Sequence, residues 1–438
     1  MDGHWIKNLD VLATTPNREL ALEIVEAGLD SISTGKVIGT AVSLAGNALY
    51  VRGDKFDLTK FKNIKVVGFG KSSCEAALAL EKILGDKITA GAVVGLEKNN
   101  CKRIETFAGT HPRPSEANAE AGIKIYETIK DSSEEDLIIV LVSGGGSSLL
   151  CCPERECEQG VLLYDSFLKT GGTISEMNTV RKHLSLLKGG GLAKVAYPAT
   201  IIGLIFSDIP GTDFSNVASG PTYKDNTTVA DAEKIITENK LGNFELIETP
   251  KEDKYFEKVH NIVLVSNTTA VDAMKKKSEE LGLQTNIVST ELYDAVDNAL
   301  EKIFGDVTDV PDVGRLQGRR PTSGTVNLAA GEPSVVVPKN AGKGGRNLHM
   351  GLEAIKMKLV SDDSVFISFG SDGMDNSDMA GAVVDKSTIE KVAKLGLDVN
   401  DYSTRFDSYN FFQKTGDLIN TGPTGANVSD LMILLTKK

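Results

Sequence analysis

The segment GFGKSS (68–73) leaves an apolar run and enters a helical stretch, a turn that aims free N–H groups and the helix dipole at an anion. Lys71 adds a mobile positive charge between Gly70 and Ser72. This is not a P-loop, because GxxxxGK[ST] ending on Gly70-Lys71-Ser72 needs glycine at the position held by Lys65. Nor is it a good dinucleotide fingerprint: Ser73 replaces the third glycine and no ribose-binding acid follows. The stronger signal is SGGGSS (143–148). Gly144, Gly145 and Gly146 allow close backbone approach, successive N–H groups make an anion nest, and Ser143, Ser147 and Ser148 add hydroxyls. A flexible linker is the bland alternative, but a linker does not normally follow a core strand such as 137–142 at once.

Further segments supply charges. MNTVRKHLSLLKGGGLA (177–193) puts Asn178, Arg181 and Lys182 within one helical turn, as a carboxylate or phosphate clamp or as a solvated basic helix. GTHPRPSEAN (109–118) holds His111 and Arg113 in a proline-stiffened loop, and a lone histidine is more often structural. SDIPGTDFSNVASGPT (207–222) offers Asp208, Asp213, Ser219 and Gly220; two acids in such a loop suit magnesium, although Asp213 is equally an ordinary turn residue. Arg346 opens a helix after the glycines of KGGRNLH and can fork two N–H bonds to a carboxylate or phosphate. FGSDGMDNSDMAGAVVD (369–385) brings Asp372, Asp375, Asp378 and Asp385, able to take a hydroxyl proton or hold a metal, without the EF-hand layout. TGDLINTGPTGANVSD (415–430) is another Gly/Thr-rich loop. Two anion cradles, a lysine, an arginine and acids are together the parts of phosphoryl transfer, which needs positioning and charge neutralisation more than covalent chemistry.

The elements that must position these groups recur as one unit: apolar run, then Gly, Ser or Asp, then helix. It is seen at 65–73, 137–148, 200–211, 261–270 and 364–376. Continuous Val/Ile/Leu runs read as strands of parallel sheets buried on both faces, with helices expected at 73–85, 268–281 and 291–304. The fold class is therefore α/β and doubly wound, with ligands beyond the carboxyl ends of the strands. The polar stretch 240–260 reads as a boundary between domains 1–245 and 260–438, and 306–324 as a loop or hinge.

Composition narrows the partners. A net charge of −12 lacks the basic footprint of a nucleic-acid surface. No apolar run is long enough to span a membrane, and MDGHWIKNLD is not laid out as a signal peptide. The expectation is a soluble cytoplasmic protein with small-molecule substrates and no membrane partner; a homo-oligomer is compatible with it. Cys74, Cys101, Cys151, Cys152 and Cys157 fit no zinc spacing and read as reduced thiols.

The ordered series GFGKSS, THPRPSEAN, SGGGSS, MNTVRKHLS-LKGGGLA, SDIPG-ASGPT, GGRNLH, SDGMDNSDMAGAVVD and TGPTGANVSD resembles the class II glycerate kinases, from about residue 10 to the end. The resemblance implies a Rossmann-like N-terminal domain, a smaller C-terminal α/β domain containing a MOFRL region (about 328–436), and an active site in the cleft between them. It implies ATP and D-glycerate as substrates, Mg2+ or another divalent cation as cofactor, and 2-phosphoglycerate as product. Lys71 and Arg346 match the family's active-site lysine and arginine, and Asp208 and Asp372 match acidic positions for metal or base. The stretch 306–320 departs from the helical segment expected before MOFRL. Three rivals remain: an NAD(P)H-dependent hydroxypyruvate reductase, disfavoured by the imperfect fingerprint; a non-catalytic sensor of phosphometabolites, which would gain nothing from acids beside its cradles; and a serine hydrolase, which lacks the GxSxG elbow.

Overall fold

The computed structural model describes residues 3–170, 173–208, 214–305 and 324–437. Asp213 and the atypical stretch 306–320 lie outside them. The chain divides into two compact units, Thr34–Val265 and a second made of Met1–Ser33 with Ser266–Lys438. This grouping differs from the expected 1–245/260–438 division at both ends, for reasons visible in each unit.

In Thr34–Val265 six strands form one parallel sheet: β1 (Asn63–Phe69), β2 (Ala90–Gly95), β3 (Glu105–Ala108), β4 (Asp136–Ser143), β5 (Thr200–Phe206) and β6 (Val259–Val265). Their order is β3-β2-β1-β4-β5-β6, the doubly wound order expected of a Rossmann-like sheet. Every residue of β4 is buried, so Leu137 to Val142 can be apolar without a break. Helix α1 (Ser73–Leu84) follows β1, and α2 (Glu116–Ile129) presents Ala121, Ile125 and Ile129 to Val67, Phe69, Val94 and Val140. That spacing of four is one helical face. Two further helices are α3 (Arg155–Thr170) and α4 (Ile174–Leu184). β6, expected in the second domain, is instead the edge strand beside β5, because its ladder with Ile201 to Phe206 supplies its backbone partners.

The second unit has a mixed sheet of β7 (Gln284–Leu292), β8 (Gly324–Gly331), β9 (Ser364–Gly370), β10 (Gly381–Asp385), β11 (Leu418–Ile419) and β12 (Asp430–Lys437). The order is β7-β8-β12-β9-β10-β11, and only β7 and β8 run parallel. The run 364–370 thus corrects the parallel reading: it is antiparallel to both neighbours. Its seven residues are all buried, and an unbroken apolar run reports burial of two faces, whatever the strand direction. The expected helix 291–304 begins only at Val296, because the chain up to Leu292 is strand. Helix α5 (Asn267–Glu280) explains why the N-terminal residues join this unit. It packs on the helix Pro16–Ser31 so closely that a Cβ on Gly28 would lie 2.7 Å from Met274 Cγ. Helix α6 (Arg346–Lys356) completes the elements that carry predicted site residues. Among the described residues no helix is long and apolar enough to cross a membrane.

Candidate functional site

The sheet order of the Thr34–Val265 unit reverses between β1 and β4, and both glycine-rich segments leave the sheet there. Gly70 has φ +126°, a conformation open to glycine, and a Cβ on it would run into Ser143. The two turns are tied together: Lys71 N donates to Gly144 O at 2.8 Å, and Ser72 N donates to Ser143 Oγ at 3.1 Å. After Ser143 the chain turns through Gly145 (φ +79°) into a short helix, Gly146–Leu149. The N–H groups of Gly145, Gly146 and Ser147 meet no acceptor among the described residues, as expected of the first N–H groups of a helix.

Around this turn the predicted groups converge. The Lys71 stem and the His111 ring press on Gly145, where a Cβ would lie 3.1 Å from Lys71 Cγ and from His111 Cδ2. Asp208, just past β5, lies against Gly144, whose missing side chain leaves room for the carboxylate. Burial raises the Asp208 pKa, and the positive charge of Lys71 pulls it back down. Ser147 Oγ meets Ser219 Oγ at 2.9 Å, and Ser219 Oγ donates to Asn178 Oδ1 at 3.3 Å. Ser219 and Gly220 are pinned by Gly189 N and Gly190 N, which donate to their carbonyls at 2.9 and 2.8 Å. Not every predicted group is aimed outward. The Ser143 hydroxyl is spent on Ser72 N and Ser73 Oγ, and the Ser148 hydroxyl donates to Gly145 O, so these two and buried Ser72 shape the cradle from within.

The tight fit at Gly144 carries a prediction. Gly144→Ala drives a methyl into the Asp208 carboxylate and shifts the cradle, with an expected loss of about 10²-fold in turnover. A thermal melt matching the parent, measured beside the rate, separates this from unfolding.

Helix α4 places Asn178 and Arg181. It starts in a capping box, Thr173 Oγ1 accepting from Glu176 N and Glu176 Oε2 accepting from Thr173 N. Lys182, the third member of the predicted clamp, turns to Asn216 and Asp225 at 3.2 and 3.1 Å.

The other unit holds Arg346 and Asp372. The first turn of α6 is fixed by Asp375, which accepts from Gly345 N, Asn347 N and Leu348 N at 3.2, 3.1 and 2.7 Å. Arg346 then bonds Asp430 through Nε and Glu332 through Nη2, the latter at 3.1 Å. Burial pushes Asp430 up to about 6 against the pull of Arg346, and pushes Asp375 to about 6 as well, helped by the charge of Asp430. Asp372 is close to Asp430: a Cβ on Gly370 would see their Oδ1 atoms at 3.4 and 3.6 Å. Sequence reasoning missed Glu332 and Asp430 as partners of Arg346. Asp430 ends a Gly/Thr-rich loop at a strand start, which was the available signal.

For magnesium, no group of three or more His, Cys, Asp or Glu side chains clusters among the described residues. Asp208 beside the cradle still fits it, since this ion takes one or two carboxylates and completes its shell with phosphate oxygens and water.

Comparison with known proteins agrees with this anatomy. Residues 20–248 match the family described as "Domain of unknown function (DUF4147)", and residues 325–430 match the MOFRL family. The glycerate 2-kinase of Pyrococcus horikoshii is 32% identical over 95% of this chain and 97% of its own. A chain from Agrobacterium vitis that carries a hydroxypyruvate reductase name is 34% identical over 84% of this chain and 86% of its own. The crystal structure of a glycerate kinase from Thermotoga maritima superposes with a TM-score of 0.79 at 30% identity, covering 95% of this chain and 99% of that one. With both domains matched and relatives aligned along almost its whole length, the chain belongs to the MOFRL-type glycerate kinase family.

Proposed function

We propose that the protein transfers the terminal phosphoryl group of ATP to the 2-hydroxyl of D-glycerate, giving 2-phosphoglycerate and ADP with a divalent cation. The observation that carries the reading is the meeting of Lys71, Asp208 and the N–H groups of Gly145 to Ser147, unpaired among the described residues, at the point where the sheet order reverses. The N–H groups hold phosphate oxygens and Lys71 neutralises charge that grows on the transferring group. Asp208 takes the hydroxyl proton or would hold magnesium, which would supply positive charge to the phosphate oxygens. Arg346 is assigned the role of a second cation and Asp372 that of a second acid, as their match to the family's positions implies.

The reductase name borne by some relatives has less support here. Ser73, which replaces the fingerprint's third glycine, is fully buried with its hydroxyl beside Ser143 Oγ at 3.1 Å. Incubation with ATP, magnesium and D-glycerate, read by phosphorus NMR, is expected to show 2-phosphoglycerate. NADH oxidation by hydroxypyruvate in place of any phosphoglycerate would reverse the assignment.

A further inference from the structure

We infer that Arg181, and not Arg346, receives the carboxylate of the hydroxy-acid substrate, and so sets the preference for acids over neutral polyols. This rests on the kinase reading and divides the labour of its two arginines. Arg346 already has its counter-charges, Asp430 and Glu332, so an incoming carboxylate would meet two negative groups beside one positive one. Arg181 is in the opposite situation. It makes no hydrogen bond or ion pair among the described residues, although it is partly buried on a helix held by a capping box. Burial lowers its pKa, which is the mark of a cation that has lost water and gained little in return.

Arg181 lines a narrow cavity with Ser147, Ser148, Cys151, Glu156 and Lys188. Glu156 is not available to it as a full counter-ion: its Oε1 is bonded to buried Lys188, and its Oε2 accepts from Cys152 N at 2.7 Å. Arg181 and Lys188 against Glu156 leave the cavity one positive charge in excess. The cavity has room for about one water-sized group. Space of that size takes one carboxylate oxygen, to which the guanidinium can donate a charge-assisted hydrogen bond, and leaves the rest of the substrate outside the cavity. The position also suits the reaction. Ser147 belongs to the anion cradle and to this cavity, and Asn178, one turn before Arg181, is joined to Ser147 through Ser219. A substrate held at Arg181 by its carboxylate therefore presents its neighbouring hydroxyl near the cradle, which points to short 2-hydroxy acids as the substrate class.

The test is calorimetric titration of D-glycerate into the parent protein, Arg181→Met, Arg181→Lys and Arg346→Met, with steady-state kinetics on each. Arg181→Met is expected to weaken glycerate binding and raise its KM about 10²-fold, with the KM for ATP unchanged within about twofold. The preference for glycerate over glycerol should fall by the same factor, and Arg181→Lys should recover part of it. Arg346→Met should lower kcat and leave glycerate binding near that of the parent. A folded Arg181→Met or Arg181→Lys that binds glycerate like the parent overturns the inference, as does loss of glycerate binding in Arg346→Met alone. Should Arg181→Met not fold, Arg181→Lys decides. Glycerate bound through Arg181 without phosphorylated product would instead remove the kinase reading and leave the binding site standing. A parent protein that binds no glycerate removes the site.

Discussion

Lys71→Ala is expected to lower kcat for glycerate phosphorylation by roughly 10²–10³-fold while the fold persists. The Lys71 stem lies against Gly145, whose N–H, like those of Gly146 and Ser147, meets no acceptor among the described residues. Loss of the ammonium is felt twice. The charge on the transferring group goes unneutralised, and Asp208 loses the positive charge that opposes its burial. The second effect has a signature in pH. An Asp208 that must be ionised loses activity as pH falls through its pKa, which burial already holds above the ordinary carboxylate value. Without Lys71 that pKa rises further, so the acid limb of the rate profile should move to higher pH. A profile merely scaled down, with its limb unmoved, would show that Lys71 and Asp208 act independently.

The largest stability effect is expected at Arg18, which has no part in the proposed chemistry. Arg18 is completely buried in the second unit. It donates through Nε and Nη2 to the two oxygens of Asp385 at 2.7 Å each, through Nη1 to Asp417 at 2.8 Å, and to Thr388 Oγ1 at 2.8 Å. Arg18→Met leaves two buried carboxylates with Lys391 as the remaining cation on Asp417, and should cost about 3–5 kcal/mol. Calorimetry should show a melting temperature lower by roughly 10 °C. The pH dependence discriminates again. In the parent, burial raises the Asp385 pKa but the Arg18 bonds outweigh it and hold it below its ordinary value. That stabilisation is present at neutral pH and is lost as pH falls below the ordinary carboxylate range. In Arg18→Met burial acts unopposed on the Asp385 carboxyl, which then binds a proton more readily folded than unfolded, so stability should rise as pH falls from 7 toward 5. A variant equally unstable at both values would show that its defect is packing.

Much of this was legible in the residues. The apolar runs 65–69, 137–142 and 200–206 declared buried strands because few other elements tolerate such runs, and Gly-rich turns after them declared where a ligand could approach. What pattern cannot carry is direction and partnership. The run 364–370 looks like a parallel strand because periodicity records which faces are covered, not which way the neighbours run. Ser143 has the composition of an anion ligand, yet its hydroxyl is taken by a turn 71 residues away in sequence. Arg346 reads as an open cation because Glu332 and Asp430 reach it only through folding. Arg181 had been one basic residue among several on a helix; the ion pairs made by Lys182 and Lys188 are what single it out.

The tie between Arg18 and its two carboxylates also sets a clock on synthesis. Asp385 and Asp417 follow Arg18 by 367 and 399 residues, and the whole Thr34–Val265 unit is made in between. At ribosomal rates of about 5–20 residues per second, the helix Pro16–Ser31 spends on the order of 20 to 80 seconds outside the exit tunnel without its partners. During that time its apolar face is open and its arginine unpaired, while an intact sheet can form behind it. The unit that is first in the chain to begin is therefore the last to close, and this helix is the segment a chaperone would have longest to hold.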